Sequence, residues 1–174
     1  FAETGRGHGT DRALVAGLLG MKPDDLRIPS AFEDARKAGL HYTIDTVELR
    51  DAHPNTAVLQ VEDANGKQMT VQGVSIGGGR IRVDKINGVD VNFTGAYNTL
   101  VVRHQDVAGE LSRITNELAV GGVNIANMSL CRNRRGGDVL TIIETDQKLQ
   151  ADVVKRISTL YAVHDVTYYE KEDV

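Results

Sequence analysis

The feature that most limits the fold is the order of hydrophobic periods between Asn98 and Tyr169. Leu100-Val101-Val102 reads as a short buried strand within residues 98–103. Leu111, Ile114 and Leu118 then fall at i, i+3 and i+7, the apolar face of a helix that Asp106 can cap and Gly121-Gly122 stops. Residues 123–130 read as a second strand, residues 134–137 as a turn, and residues 139–145 as the partner strand. Leu149, Val153, Val154, Ile157 and Leu160 make the face of another helix, and residues 163–169 close the series. This β-α-β-β-α-β order is the ferredoxin-like arrangement, four antiparallel strands with two helices on one face. It leaves the other sheet face and the edge strands open, and such small domains usually pair.

Residues 1–93 follow a different pattern, two helices and then an antiparallel meander. Gly5-Arg6-Gly7-His8-Gly9-Thr10-Asp11 places three glycines at alternate positions before an apolar helix. Such a loop turns sharply and brings its backbone close to a ligand. Thr10 or Asp11 can cap the helix. A helix N-terminus offers N–H groups and partial positive charge, suited to a carboxylate or phosphate. His8 is held out at that mouth, the one side chain there suited to move a proton near neutral pH. The same residues also fit an ordinary glycine turn with a solvent-exposed histidine. The G-x-G-x-x-G spacing fails and no Gly-Lys-Ser/Thr follows, so neither a dinucleotide fingerprint nor a P-loop is present.

Gly20 and Pro23 end the first helix. Ser30-Ala31-Phe32-Glu33 reads as a capping box, opening a second helix that runs to about Ala38 before Gly39. From Leu40 the period becomes two, with Tyr42, Ile44, Thr46 and Glu48 on one face of a candidate strand. His53-Pro54-Asn55 breaks it. Two alternating runs flank Asp63-Ala64-Asn65-Gly66, a hairpin signal, and Asn87-Gly88 repeats it. Gly77-Gly78-Gly79 is a turn in preference to an anion cradle, because no helix follows to add its dipole. Thr94-Gly95-Ala96-Tyr97 is the best boundary. The expected class is therefore α+β, an α/β domain with an antiparallel meander over residues 1–95 and a ferredoxin-like domain over residues 98–174.

Composition narrows the function. The net charge of −4 is shared between the halves, without a basic arm, so nucleic-acid binding is disfavoured. Arg132-Asn133-Arg134-Arg135 precedes two glycines and reads as a solvated hairpin tip. The single cysteine, Cys131, excludes an internal disulfide and any cysteine-based metal cage within this chain, so no metal ligand is assigned here. Apolar runs fall short of the ~18 residues of a membrane span, and a cytoplasmic setting is expected. The chain opens at Phe1 without a signal-peptide pattern, and the expectation is that upstream residues are absent.

Residues 98–170 resemble the ACT domain, a small-molecule sensing module that usually binds amino acids. The likeness rests on His104-Gln105-Asp106-Val107-Ala108-Gly109-Glu110-Leu111 and on Gly121-Gly122-Val123-Asn124-Ile125-Ala126. It implies that Gly109 lets a ligand approach the first helix turn, and that Asp106 and Asn124 fix an α-amino group. His104 and Asp106 match polar positions that some of these domains use for serine; Glu110, Leu111 and Ile125 complete the implied site. Ala108 stands where many members have proline. In this family the ligand often sits between two copies, so a homodimer is implied.

The whole chain is similar to the β-subunit family of bacterial iron–sulfur L-serine dehydratases. Residues 1–20 carry most of the likeness, with Asp24-Asp25-Leu26-Arg27-Ile28-Pro29, Pro54-Asn55-Thr56 and Ser75-Ile76-Gly77-Gly78-Gly79. The resemblance implies conversion of L-serine to pyruvate and ammonia. It places a [4Fe–4S] cluster on an α subunit, held there by cysteines, and makes His8 the base for the α-proton. Gly7, Gly9 and Thr10 become holders of the substrate carboxylate. The family's upstream Ser-Ser-Ser-His-Thr stretch is missing from this sequence, so the isolated chain is expected to be inactive. The alternative is a non-catalytic amino-acid-binding regulatory module, because a related two-part arrangement occurs in some phosphoglycerate dehydrogenases. Their nicotinamide-binding domain leaves no trace here.

Overall fold

The computed structural model describes residues 5, 7–132 and 134–171. The chain separates into two compact units, Phe1–Thr56 and Ala57–Val174. Helices and antiparallel sheets make the class α+β. No described helix is long and apolar enough to cross a membrane.

The first unit is built on helices α1 (Thr10–Leu18) and α2 (Ala31–Lys37), joined through a 3-10 turn at Ile28–Ser30. Val15, Ala16, Ala31 and Ala35 are buried between them, and Leu19, Met21, Ile28, Phe32 and Leu40 pack around that centre. Small residues at the crossing let the helices approach closely. Gly20 and Gly39 follow the two helix ends with positive φ, as their positions predicted. The capping box at Ser30 does not form. The backbone reaches Ser30 already turned by the 3-10 segment, and its hydroxyl donates to the Arg27 carbonyl at 2.9 Å and to Asp34 Oδ2 at 3.1 Å. The candidate strand after Leu40 is not a strand either. Residues 40–49 carry no ladder hydrogen bonds, and Tyr42 stacks on Phe32 at 5.9 Å between ring centroids.

The second unit holds two four-stranded sheets. Strands β1 (Thr56–Glu62), β2 (Gln68–Gly77), β3 (Arg80–Ile86) and β4 (Val89–Phe93) lie in sequence order, as the meander reading expects. Gly78-Gly79 makes the β2–β3 turn, and Gly77 pairs with Arg80. Asn87 and Gly88 both take positive φ, so the β3–β4 hairpin is the two-residue turn whose twist suits the strands. Asn87 also receives the Thr70 N–H on its Oδ1 at 2.8 Å, which ties this turn to β2.

The second sheet is β5 (Asn98–Gln105), β6 (Ile125–Arg132), β7 (Asp138–Thr145) and β8 (Val163–Tyr169), in the order β6-β7-β5-β8. With α3 (Glu110–Val120) and α4 (Ala151–Ser158) this is the ferredoxin-like topology. Leu100, Val102 and Ile143 point to the helices and join Ile114, Leu118, Val153 and Ile157 in the main core. The intervening residues on the other face do not stay open as the topology alone suggested. Val91 of β4 packs with Leu140 and Ile142 of β7, alongside Val83, Phe93 and Val101. The meander thus covers part of the second sheet face within the same compact unit.

Candidate functional site

The loop before α1 owes its shape to one backbone angle. Gly9, the N-cap, sits at φ 70°, ψ 21°. That left-handed region is open to glycine and strained for other residues. The turn lets the Thr10 N–H donate to the Gly5 carbonyl at 2.9 Å and the Ala13 N–H to the Gly9 carbonyl at 3.0 Å. Neither Thr10 nor Asp11 caps the helix. Asp11 instead accepts the Arg12 N–H on Oδ1 at 2.8 Å. Besides the ordinary helical bond of Ala13, the first-turn amides of Thr10 and Arg12 are therefore already occupied, and the mouth is less bare than a helix N-terminus in isolation. Gly7 and His8 are exposed at the loop's crest, while Gly9 and Thr10 are half-buried. Among the described residues, a Cβ on Gly9 would meet no atom within 4 Å. Phe1–Thr4 and Arg6, which carry part of the family likeness, lie outside the described residues.

The predicted amino-acid site of the second unit is spread out. His104 is buried at the end of β5, its Nδ1 at 2.9 Å from the Gln105 carbonyl and its Nε2 at 2.8 Å from Thr141 Oγ1. Because the Gln105 carbonyl can only accept, Nδ1 carries a proton. Asp106 does not cap α3. Its Oδ2 accepts from Gly136 N at 2.9 Å and from Arg132 Nη1 at 2.6 Å. The Gly136 amide first, and the Arg132 guanidinium next, hold this carboxyl below the usual carboxylate range. Arg132 thus ends β6 in an ion pair; Asn133, beside it, lies outside the described residues.

Gly109 is the N-cap of α3 in the left-handed region, where another residue would be strained. Glu110, the first residue of α3, is buried; its Oε2 accepts from Arg113 Nη1 at 2.8 Å and its Oε1 has no partner among the described residues. Leu111 is half-buried. Asn124 is exposed and donates from Nδ2 to Asp146 Oδ2 at 2.6 Å, while Ile125 packs against the main core. The register sets Asn98 and Ile125 both against Thr145, and Gln105 against Asp138. Asp106 and Asn124 therefore occupy opposite ends of the sheet, more than about 23 Å apart along the strands. Within one chain they do not share a pocket.

Sequence reasoning missed a charged bridge in this unit. Lys67 of the β1–β2 turn places Nζ 2.9 and 2.8 Å from the two carboxylate oxygens of Asp165 on β8. Its signal, a lysine directly after an Asn-Gly turn, is too common to stand out.

No protein-family model matches the chain. Individual proteins do. The chain is 39% identical over 150 residues to the L-serine dehydratase beta chain of Peptoniphilus asaccharolyticus, covering 86% of this chain and 68% of that one. It is 34% identical over 167 residues to the probable L-serine dehydratase beta chain of Bacillus subtilis, covering 96% and 76%. It is also 27% identical over 163 residues to D-3-phosphoglycerate dehydrogenase of Archaeoglobus fulgidus, of which it covers 30%. The two beta chains are matched over most of their length and at higher identity than the dehydrogenase, and on that ground the chain belongs to the family of L-serine dehydratase beta chains, subunits of an enzyme.

Proposed function

We propose that this chain is the β component of an L-serine ammonia-lyase, working with an α subunit that holds a [4Fe–4S] cluster. The chain itself does not fit the cluster. Cys131 is its single cysteine, and no three His, Cys, Asp or Glu side chains converge among the described residues. On the partner, the cluster would supply Lewis acidity toward the serine hydroxyl.

What this chain brings is the loop ahead of α1. His8 removes the Cα proton of L-serine as the β-hydroxyl departs; the enamine left behind hydrolyses to pyruvate and ammonia. Gly7 and Gly9 offer backbone N–H groups to the substrate carboxylate, and Thr10 its hydroxyl. The observation that supports this is the conformation of the loop: left-handed Gly9 sets exposed His8 ahead of a helix N-terminus, and no described atom crowds Gly9.

The test is His8→Ala in enzyme reconstituted with its α subunit. Turnover is expected to drop by about 10²- to 10⁴-fold, the usual contribution of a positioned acid or base. A purely regulatory β chain would keep most of its turnover, and that result sinks the proposal. The isolated chain is expected to form no pyruvate above background.

Under the same proposal residues 98–174 act as an ACT domain that takes L-serine between two copies. The opposite placement of Asp106 and Asn124 supports this reading, because one copy's Asp106 then works with the partner copy's sheet end.

A further inference from the structure

We infer that a cleft between the two sheets of residues 57–174 binds a small molecule with an apolar body and a carboxylate head.

The meander and the second sheet pack tightly where β4 meets β7 and spread apart toward β8. The gap is a cleft of about 210 Å³. Met69, Val71 and Ile86 form its roof, and Val101, Leu140 and Thr167 its floor. One end is closed by Tyr169, whose ring would lie 3.2 Å from a Cβ on Gly95. Across the other end runs the Lys67–Asp165 bridge. An apolar space of ~150 Å³ in a protein interior holds a benzene ring. This cleft therefore suits a body of about ten heavy atoms, too small for a peptide segment of regular structure.

Its charged end says what kind of molecule. The cleft continues, past Arg103 and Asp165, into a polar vestibule of about 790 Å³. Lys67, Arg103 and Arg134 line the vestibule against two carboxylates, Asp138 and Asp165. Lys67 is paired with Asp165, and Arg103 donates one N–H edge, through Nη1, to Asp138 at 3.0 Å. Arg134 has no ion-pair partner among the described residues. One net positive charge is left over beside an apolar slot. A carboxylate can take the spare Arg103 edge and Arg134 together while its hydrocarbon part replaces water in the cleft.

The experiment titrates the full chain with 3-phenylpropionate and, in parallel, with its neutral amide. Methyl resonances of Val71, Ile86 and Leu140 report occupancy. Saturating shifts at these methyls are expected with the acid, and binding at least about tenfold weaker with the amide. Arg134→Gln should weaken the acid several-fold and leave the amide unchanged. Thr167→Phe, a change at an exposed floor position, should abolish both. Shifts that fail to saturate below about 10 mM, or that fall outside the cleft, overturn the site. Equal binding of acid and amide overturns the carboxylate assignment.

Discussion

Asp25 keeps its charge against a single neighbour. Its Oδ1 accepts the Arg27 N–H at 2.8 Å and Arg27 Nε at 3.0 Å, and its Oδ2 accepts Arg27 Nη2 at 2.6 Å. The Arg27 side-chain hydrogen bonds, and then its backbone N–H, lower the carboxyl from 3.8 to about 2. A carboxyl depressed in the folded state stabilises it fully above its unfolded value and stops doing so as pH falls through the folded one. The window is thus pH 3.8 down to about 2. Carbon-detected titration should place the Asp25 midpoint near 2, and Arg27→Ala should return it toward 3.8. A wild-type midpoint already near 3.8 would show the fork open in solution. At this scale the sequence was a partial guide. The sharp turn of the Gly5–Thr10 loop was legible in its glycines and is made at Gly9, whereas Gly109 was read for ligand approach and its left-handed N-cap was not foreseen. The partners of Asp106 were not, since an aspartate before a helix serves equally as cap, ligand or ion pair, and the choice here falls to Arg132 and Gly136 from a distant hairpin.

Among the elements, α3 and α4 meet at a point that tolerates no extra atom. A Cβ on Gly121 would lie 2.7 Å from Val153 Cγ2, and Val153 is buried and stiff at χ1. Gly121 has φ −75°, so the backbone accepts alanine and the penalty is steric alone. Gly121→Ala should cost about 1–3 kcal/mol in denaturant unfolding. In a Val153→Ala background the cost of Gly121→Ala should shrink, which a backbone effect would not allow. The strand pattern of residues 56–93 and 98–169 was readable because alternation and turn residues agreed with each other. Residues 40–48 alternate too, but a strand needs a neighbouring backbone to receive its N–H and C=O groups, and none pairs with it in the described chain. Tyr42 found an aromatic partner in Phe32 instead.

For the whole molecule, family membership rests on likeness spread along the chain, whereas the paired-copy serine site is proposed. Calorimetric titration of the chain with L-serine should release or absorb heat that vanishes in Asn124→Ala, and sizing chromatography should show two chains together. Heat unchanged by Asn124→Ala would move the ligand elsewhere. What sequence could not foretell was the second face of the ferredoxin-like sheet. Its apolar residues look like a surface awaiting a second copy, yet the preceding meander of the same chain occupies part of it.

That coverage decides where the polypeptide can be cut. The Thr94–Tyr97 linker looks like a natural seam, but severing it and discarding the meander would bare Val101, Leu140 and Ile142 to water. Such a fragment should stick to itself and be chewed by proteases. A piece starting at Ala57 keeps its lining and should survive limited digestion.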